Sequence, residues 1–464
     1  MRSIYKYIVF SMAALTFSGC EKYVDIKTQG NLVPSQTINY RYLLNNTNGF
    51  EANPNLSDFA SNDINITDAS QLSTLTSLNY NYFLNSYTWQ NVIFPLGTTA
   101  EQDLSWNAAY AVVLNCNTII NELPTSDGTE AEKAALTAEA LVHRADAYLA
   151  LVNNYAKPYN ANTAATDLGV PLLLEQTVSQ KLNRATVKAI YDQIIADLLR
   201  AIPALPVTQA YNTLPSLASA YGELARCYLY MNDYVNASRY ADLALGQRST
   251  INDLSALTLV NSTNYPRRIT DPEILLSKVP YGGGVSYTPT ALKLSDEFLA
   301  LLGAQDQRYT LFTVPASTIS TLYTGRYSYK ERAIGETRNE GPSVPEMTLI
   351  RAETFARAGD YNNAMLWVNR LRIKRFKTAD YVPLTATSAN DALVKVIDER
   401  RREFFGIALR WWDMRRLKNE ALFTRTYTRV ANGVTYTLAP NSDRYTFPIA
   451  GYLRQLNPEL EANP

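Results

Sequence analysis

Hydrophobic positions fall into helical stripes over the middle of the chain. Trp106, Tyr110, Val113 and Ile120 recur at helical spacing, and the run ends at Leu123-Pro124. Leu141, Ala145, Tyr148, Val152 and Tyr155 step by 4, 3, 4 and 3, which predicts an amphipathic helix. Val187, Tyr191, Ile194, Leu198 and Ile202 do the same, with Thr186 as N-cap and Pro203 as stop. Leu217, Tyr221, Leu224, Tyr228 and Met231 form a further stripe. Each stripe reads as helix–helix core. The flanking regions differ. Eight asparagines lie between Asn39 and Asn65, and Asn79, Asn81, Asn85 and Asn91 follow. Asparagine favours turns and caps over helix interiors, so 30–100 is expected to be irregular with short helices. Residues 259–345 are rich in Gly, Pro, Ser, Thr and Tyr, with one helical stripe from Leu292 to Leu302.

Two segments carry more than a stripe. Tyr221, Leu224, Ala225, Tyr228, Asp233-Tyr234, Ala237, Ala241 and Ala244 have the spacings of a tetratricopeptide (TPR) helix–turn–helix, with small residues where two helices cross. Ala352, Phe355, Gly359-Asp360-Tyr361, Ala364, Val368 and Leu371 repeat the same offsets. Ala237 and Ala364 stand 127 residues apart, so the units are not tandem. His143-Arg144-Ala145 to Tyr148 resembles the first helix of a third unit, whose second helix would be 186–202. The expected fold is mostly α, a TPR-containing helical scaffold with long loop-rich insertions.

Composition narrows the function. The chain has 464 residues with 43 basic and 43 acidic side chains, a balance that disfavours broad nucleic-acid binding. One histidine and three cysteines are too few for the usual four-ligand zinc site, and no cofactor motif is present. Cys116 and Cys227 lie among apolar neighbours in helical patterns and are expected to be free thiols. Arg2 and Lys6 precede a short apolar run, Ile8 to Phe17, that is too brief to span a bilayer. The run ends Phe17-Ser18-Gly19-Cys20, which resembles a lipobox with Phe where Leu is commoner. Residues 1–19 therefore read as a lipoprotein signal peptide and Cys20 as the lipidated residue. The remainder, 20–464, reads as one domain: loop-rich 20–105, helical 106–258, a loop-rich insertion 259–345, and 346–464.

Near the C-terminus stands Glu399-Arg400-Arg401-Arg402-Glu403-Phe404-Phe405, then Arg410-Trp411-Trp412-Asp413-Met414-Arg415-Arg416. The residue types predict a helix whose acids and guanidiniums pair at i, i+3 and i+4. Glu-Arg-x-x-Glu-Phe followed by Arg-Trp-x-Asp-x-x-Arg resembles the C-terminal signature of the SusD/RagB family of surface nutrient-binding lipoproteins. Trp106-x-x-x-Tyr110 with Asn117, Arg144-Ala145-x-x-Tyr148, Asp197-Leu198, Gly359-Asp360 and Asn457-Pro458 to Asn463-Pro464 fall in family order. The sequence departs at Gly406-Ile407-Ala408 and at Phe447-Pro448-Ile449-Ala450. The resemblance implies a lipid-anchored protein of the outer membrane that caps a SusC-like TonB-dependent transporter. It also implies capture of oligosaccharides, or in some members peptides, for import.

A sugar offers apolar ring faces and a rim of hydroxyls, so its site needs aromatic planes beside amide, carboxylate or guanidinium groups. Tyr80, Tyr82, Tyr87, Trp89 and Asn91 supply that mixture in the Asn-rich region. Tyr281, Tyr287, Tyr323, Arg326 and Tyr327 supply it again in the late insertion. Trp106, Trp367, Trp411 and Trp412 sit on stripes or in the signature and read as core. Trp89 is the one Trp outside such a pattern, and it reads either as an exposed stacking plane for the ligand or as a ring packed under its own loop. Gly282-Gly283-Gly284 lacks the spacing of a phosphate cradle and reads as a loop beside a pocket. Two rival readings stand beside glycan capture. A surface glycoside hydrolase would draw its carboxylate pair from residues such as Asp58, Asp63, Asp103 and Asp306. A protein-binding scaffold would use the TPR faces and no soluble ligand. A triad built on His143 is disfavoured by its mid-helix position.

Overall fold

The computed structural model describes residues 35–53, 56–177, 179–257, 265–281 and 287–463. The signal segment, Cys20 and Gly282–Gly284 lie outside the described residues. Ten helices build the frame: α1 (Asn81–Tyr87), α2 (Leu104–Glu122), α3 (Glu130–Tyr155), α4 (Val187–Ala201), α5 (Leu217–Tyr230), α6 (Tyr234–Gln247), α7 (Val344–Arg357), α8 (Tyr361–Arg372), α9 (Ala389–Glu403) and α10 (Leu409–Leu417). Short helices at Thr37–Leu44, Thr47–Phe50, Ser57–Ala60 and Ala69–Leu75 populate the Asn-rich region, as its composition leads one to expect.

α3 is the axis of the molecule. Thr129 and Glu132 close a reciprocal capping box at its N-terminus, and every residue from Ala138 to Tyr155 is buried. A helix buried on all faces must be covered all round, and α2 and α4 pack on it. Thr186 caps α4 through Oγ1, accepting the Ala189 N–H at 3.1 Å. α5 with α6 and α7 with α8 form the two helix hairpins expected from the repeat spacings. Their turns share one device. Asn232 (φ 61°) and Gly359 (φ 88°) take the left-handed conformation that ends the first helix. Asp233 and Asp360 then cap the second, accepting the N–H groups of Asn236 and Asn363 at 3.0 Å. Cys116 and Cys227 are both buried free thiols.

Two expectations need correction. The charged signature is not one helix, because Gly406 turns the chain at φ 72° between α9 and α10. Only Arg402–Glu399 and Arg416–Asp413 pair within a helix turn there. The other partners are distant in sequence: Arg308 and Arg372 on Glu399, Arg375 on Glu403, and Arg416 on Glu353. The stripe from Leu292 becomes helical only at Asp296, since Lys293 and Leu294 form β-bridges to Tyr327 and Ile64.

Four two-stranded ladders decorate the frame. β2 (Leu168–Pro171) pairs with β3 (Arg184–Thr186), β5 (Thr313–Pro315) with β6 (Arg326–Ser328), and β7 (Tyr427–Ala431) with β8 (Val434–Leu438), all antiparallel. The fourth joins β1 (Ala52–Asn53) to β4 (Val279–Pro280) in parallel, with Ala52 opposite Val279. This short ladder stitches the Asn-rich region to the late insertion. Beside it Lys278, fully buried, donates to the Phe50 carbonyl at 2.8 Å and pairs with Asp146 at 3.0 Å. The same amine donates to His143 Nδ1 at 3.0 Å, so the imidazole proton sits on Nε2. Burial, reinforced by the Lys278 charge, holds that imidazole neutral by pushing its pKa well below the usual value.

Candidate functional site

A cavity of about 430 Å³ opens where the Asn-rich region meets the late insertion. One wall is aromatic. Tyr82, in the first turn of α1, lies against Phe83 and stacks on Phe94 with centroids 5.9 Å apart and planes at 21°. The same lining includes Tyr281, which follows β4 directly and is 40% exposed. Asn79, Thr98, Thr99, Ser105, Glu101, Asp103 and Gln102 supply amides, hydroxyls and two carboxylates, and Leu56 and Leu104 add apolar surface.

The 95–103 segment is held by its own side chains. Thr98 Oγ1 donates to the Pro95 carbonyl, and the Gly97 N–H donates to Glu101 Oε2, both at 2.8 Å. Gly97 stands at φ 74°, a conformation that a side chain would strain. Thr99 Oγ1 is within hydrogen-bonding distance of both Asn79 Oδ1 (2.9 Å) and the Leu78 carbonyl (3.2 Å), which ties this segment to the start of α1. Asp103 caps α2, accepting the Trp106 N–H at 3.0 Å through Oδ1, while Oδ2 accepts the Tyr155 hydroxyl at 2.5 Å. Burial raises its pKa to about 6 against these hydrogen bonds.

The ten expected ligand residues divide. Tyr82 and Tyr281 come together in the cavity lining although 199 positions separate their numbers. Tyr80 is half-buried against the core and Asn91 is exposed, and neither lines the cavity. Tyr287 is exposed, with the Arg332 guanidinium 5.2 Å from its ring. Tyr323 stacks on Tyr327 at 5.4 Å. Arg326 is half-buried in β6, where its guanidinium donates to the Thr313 carbonyl at 3.0 Å and covers the Tyr309 ring at 4.0 Å.

Three residues are corrected. Tyr327 and Tyr87 are fully buried; the Tyr327 hydroxyl donates to Asp68 at 2.6 Å and the Tyr87 hydroxyl accepts the Ile66 N–H at 3.0 Å. Trp89 is 6% exposed, contrary to its reading as an open plane. Its Nε1 donates to the Ala60 carbonyl at 3.0 Å, and the Arg429 guanidinium lies 4.2 Å from its ring. Arg429, from β7, lies equally close to Tyr87 and donates to the carbonyls of Phe59, Ala60, Tyr87 and Ser61. Trp89 itself sits at φ 52°, a strained conformation for a bulky residue, at the point where the chain leaves α1 and reverses toward Phe94. It is a buried core residue and not part of the cavity lining. Trp89→Phe replaces the indole with a smaller phenyl ring, so it loses the Nε1 hydrogen bond and leaves a cavity beside Arg429; chemical denaturation should show a loss of about 2–4 kcal/mol.

Of the hydrolase candidates, Asp58 is engaged by Arg338, Asp63 by Arg401 and Asp306 by Arg308, each carboxylate buried. A wider polar cleft of about 630 Å³ lies between 157–167, 231–234 and 415–446. Two of its aromatic rings are already covered, Tyr445 by Trp411 and Tyr234 by the Arg357 guanidinium. In the 430 Å³ cavity Tyr281 is 40% exposed.

Residues 22–229 match a family described as "Starch-binding associating with outer membrane", and residues 344–464 match the SusD family. A SusD-like protein P2 of Formosa agariphila is 25% identical over 370 residues, covering 68% of this chain and 71% of that one. Among solved structures, a SusD superfamily protein of Bacteroides thetaiotaomicron superposes with a TM-score of 0.72 at 19% identity, covering 92% of this chain and all of that one. A laminarin binding SusD-like protein superposes with a TM-score of 0.65 at 16% identity, over 93% and 100% of the two chains. These likenesses establish the fold.

Proposed function

The chain belongs to the SusD/RagB family, and from that premise we propose that it captures oligosaccharides in the cavity lined by Tyr82 and Tyr281. It then passes them to a SusC-like TonB-dependent transporter in the outer membrane. The observation that carries this reading is the cavity's chemistry: a partly exposed tyrosine, Tyr281, in one lining with a stacked tyrosine–phenylalanine pair, rimmed by amide and hydroxyl groups. The laminarin binding relative of the same fold is in keeping with it.

The chain holds and does not cleave its ligand. Both Asp103 oxygens are taken up by protein donors, which leaves Glu101 as the cavity's remaining carboxylate. A glycoside hydrolase needs a pair. Among the described residues no helix is long and apolar enough to cross a membrane, and lipid on Cys20 would supply the tether.

The test has two arms. Titration with a panel of oligosaccharides should give saturable binding of at least one, without release of shorter products. Binding of peptides alone, or sustained glycan turnover, would contradict the reading. Gentle detergent extraction should recover a large β-barrel partner in comparable amount, and Cys20→Ala should abolish labelling by palmitate.

A further inference from the structure

We infer that the cavity selects glycans without negative charge and rejects polymers bearing uronate or sulfate groups. This rests on the glycan reading of the same cavity and specifies its substrate class.

Among the described residues the lining holds two carboxylates, Glu101 and Asp103, and no lysine, arginine or histidine. The imbalance extends well beyond the lining. From Tyr42 to Glu132 the chain contains no basic residue and carries ten acidic ones. Around Tyr281 the sequence carries no charged residue from Val279 to Leu292. An anionic sugar is ordinarily held by arginine forks or lysine. Neither segment can supply one.

Three basic groups on adjoining segments are occupied elsewhere. Lys278 is fully buried on Phe50, His143 and Asp146. Lys293 is tied to Thr67, Asp68 and Thr324. Arg429 is enclosed between Tyr87 and Trp89 with its donors on four carbonyls. The remaining anion attractor is the N-terminus of α2, which faces the cavity through Gln102 to Ser105. That seat is filled by the protein's own carboxylate, Asp103. A sulfate or uronate entering here would meet Glu101 with no counter-cation and would lose its hydration without compensation.

The experiment compares hexamers of neutral glycans (laminarin, starch, mannan and xylan type) with hexamers of alginate, polygalacturonate, carrageenan and chitosan by calorimetry. At least one neutral hexamer should bind, with every anionic one about tenfold or more weaker. Neutral affinity should stay level from about 50 mM to about 500 mM salt, because no charge pair is screened. Glu101→Gln should narrow the gap between neutral and anionic probes. An anionic hexamer that binds as tightly as the best neutral one would overturn the inference while leaving glycan capture standing, whereas binding of cationic chitosan agrees with the acidic lining. If no hexamer of any charge binds, the glycan reading itself fails and the inference falls with it.

Discussion

Glu399→Ala is expected to cost about 3–5 kcal/mol of folding stability, a large share of what a native protein possesses. Glu399 is fully buried at the junction of three segments that are distant in sequence. It accepts from Arg308 Nη2 and Arg372 Nη1 at 2.7 Å, and from Arg402 Nη1 at 3.1 Å. Arg308 belongs to the late insertion, Arg372 ends α8, and Arg402 lies one turn along α9. Burial alone would raise the Glu399 carboxyl, but the surrounding guanidiniums outweigh it and hold its pKa well below the usual range. Truncation leaves Arg308 with Asp306 and Glu403, and takes from Arg372 and Arg402 the carboxylate with which each is paired. Urea denaturation at neutral pH measures the loss, and a change within about 1 kcal/mol would show the network to be dispensable.

The same network sets an acid limit. Glu353, Glu399 and Asp413 are all depressed below their unfolded values by guanidinium partners that overcome burial. A depressed carboxylate contributes stability above its unfolded pKa and loses it as pH falls toward its folded one. Stability should therefore decline below about pH 4.5, and Glu399→Ala should decline less steeply there because one titrating group is gone.

Tyr281→Ala is expected to weaken oligosaccharide binding about tenfold to hundredfold, the effect of removing an aromatic plane at a hot spot. Because Tyr281 is 40% exposed, folding stability should change little. Tyr82→Ala should show a similar loss of affinity with a stability cost, since its ring also packs on Phe83 and Phe94. Tyr287→Ala serves as the comparison: the ring is exposed beside Arg332, outside the cavity, and its removal should leave affinity unchanged. An equal loss in Tyr287→Ala and Tyr281→Ala would move the site along the insertion.

The helical frame was readable because periodicity and caps are local. Thr186, Asp233 and Asp360 each cap the helix that their spacing announces. Trp106, Trp411 and Trp412 are buried as their stripes require. What escaped depends on partners hundreds of positions away. No local pattern ties Arg429 to Trp89, yet that contact turns an isolated Trp from an apparent platform into a buried core residue. The signature divides at Gly406, whose left-handed conformation is invisible in a count of charges. Tyr82 and Tyr281 were separate candidates in separate regions, and a two-residue parallel ladder between Ala52–Asn53 and Val279–Pro280 ties those regions together. Asn79, Phe94, Thr98, Thr99 and Gln102 were missed because amides and hydroxyls are common in any loop. Only the closure of the cavity distinguishes them.

The most direct measurement is a crystal structure of the protein grown with the best-binding oligosaccharide. The account predicts a sugar ring against the Tyr281 face, with hydroxyls within hydrogen-bonding distance of groups such as Asn79, Thr98 or Gln102. Sugar density bound elsewhere, for instance in the polar cleft beside Lys157 and Lys418, with the Tyr82–Tyr281 cavity empty, would contradict it.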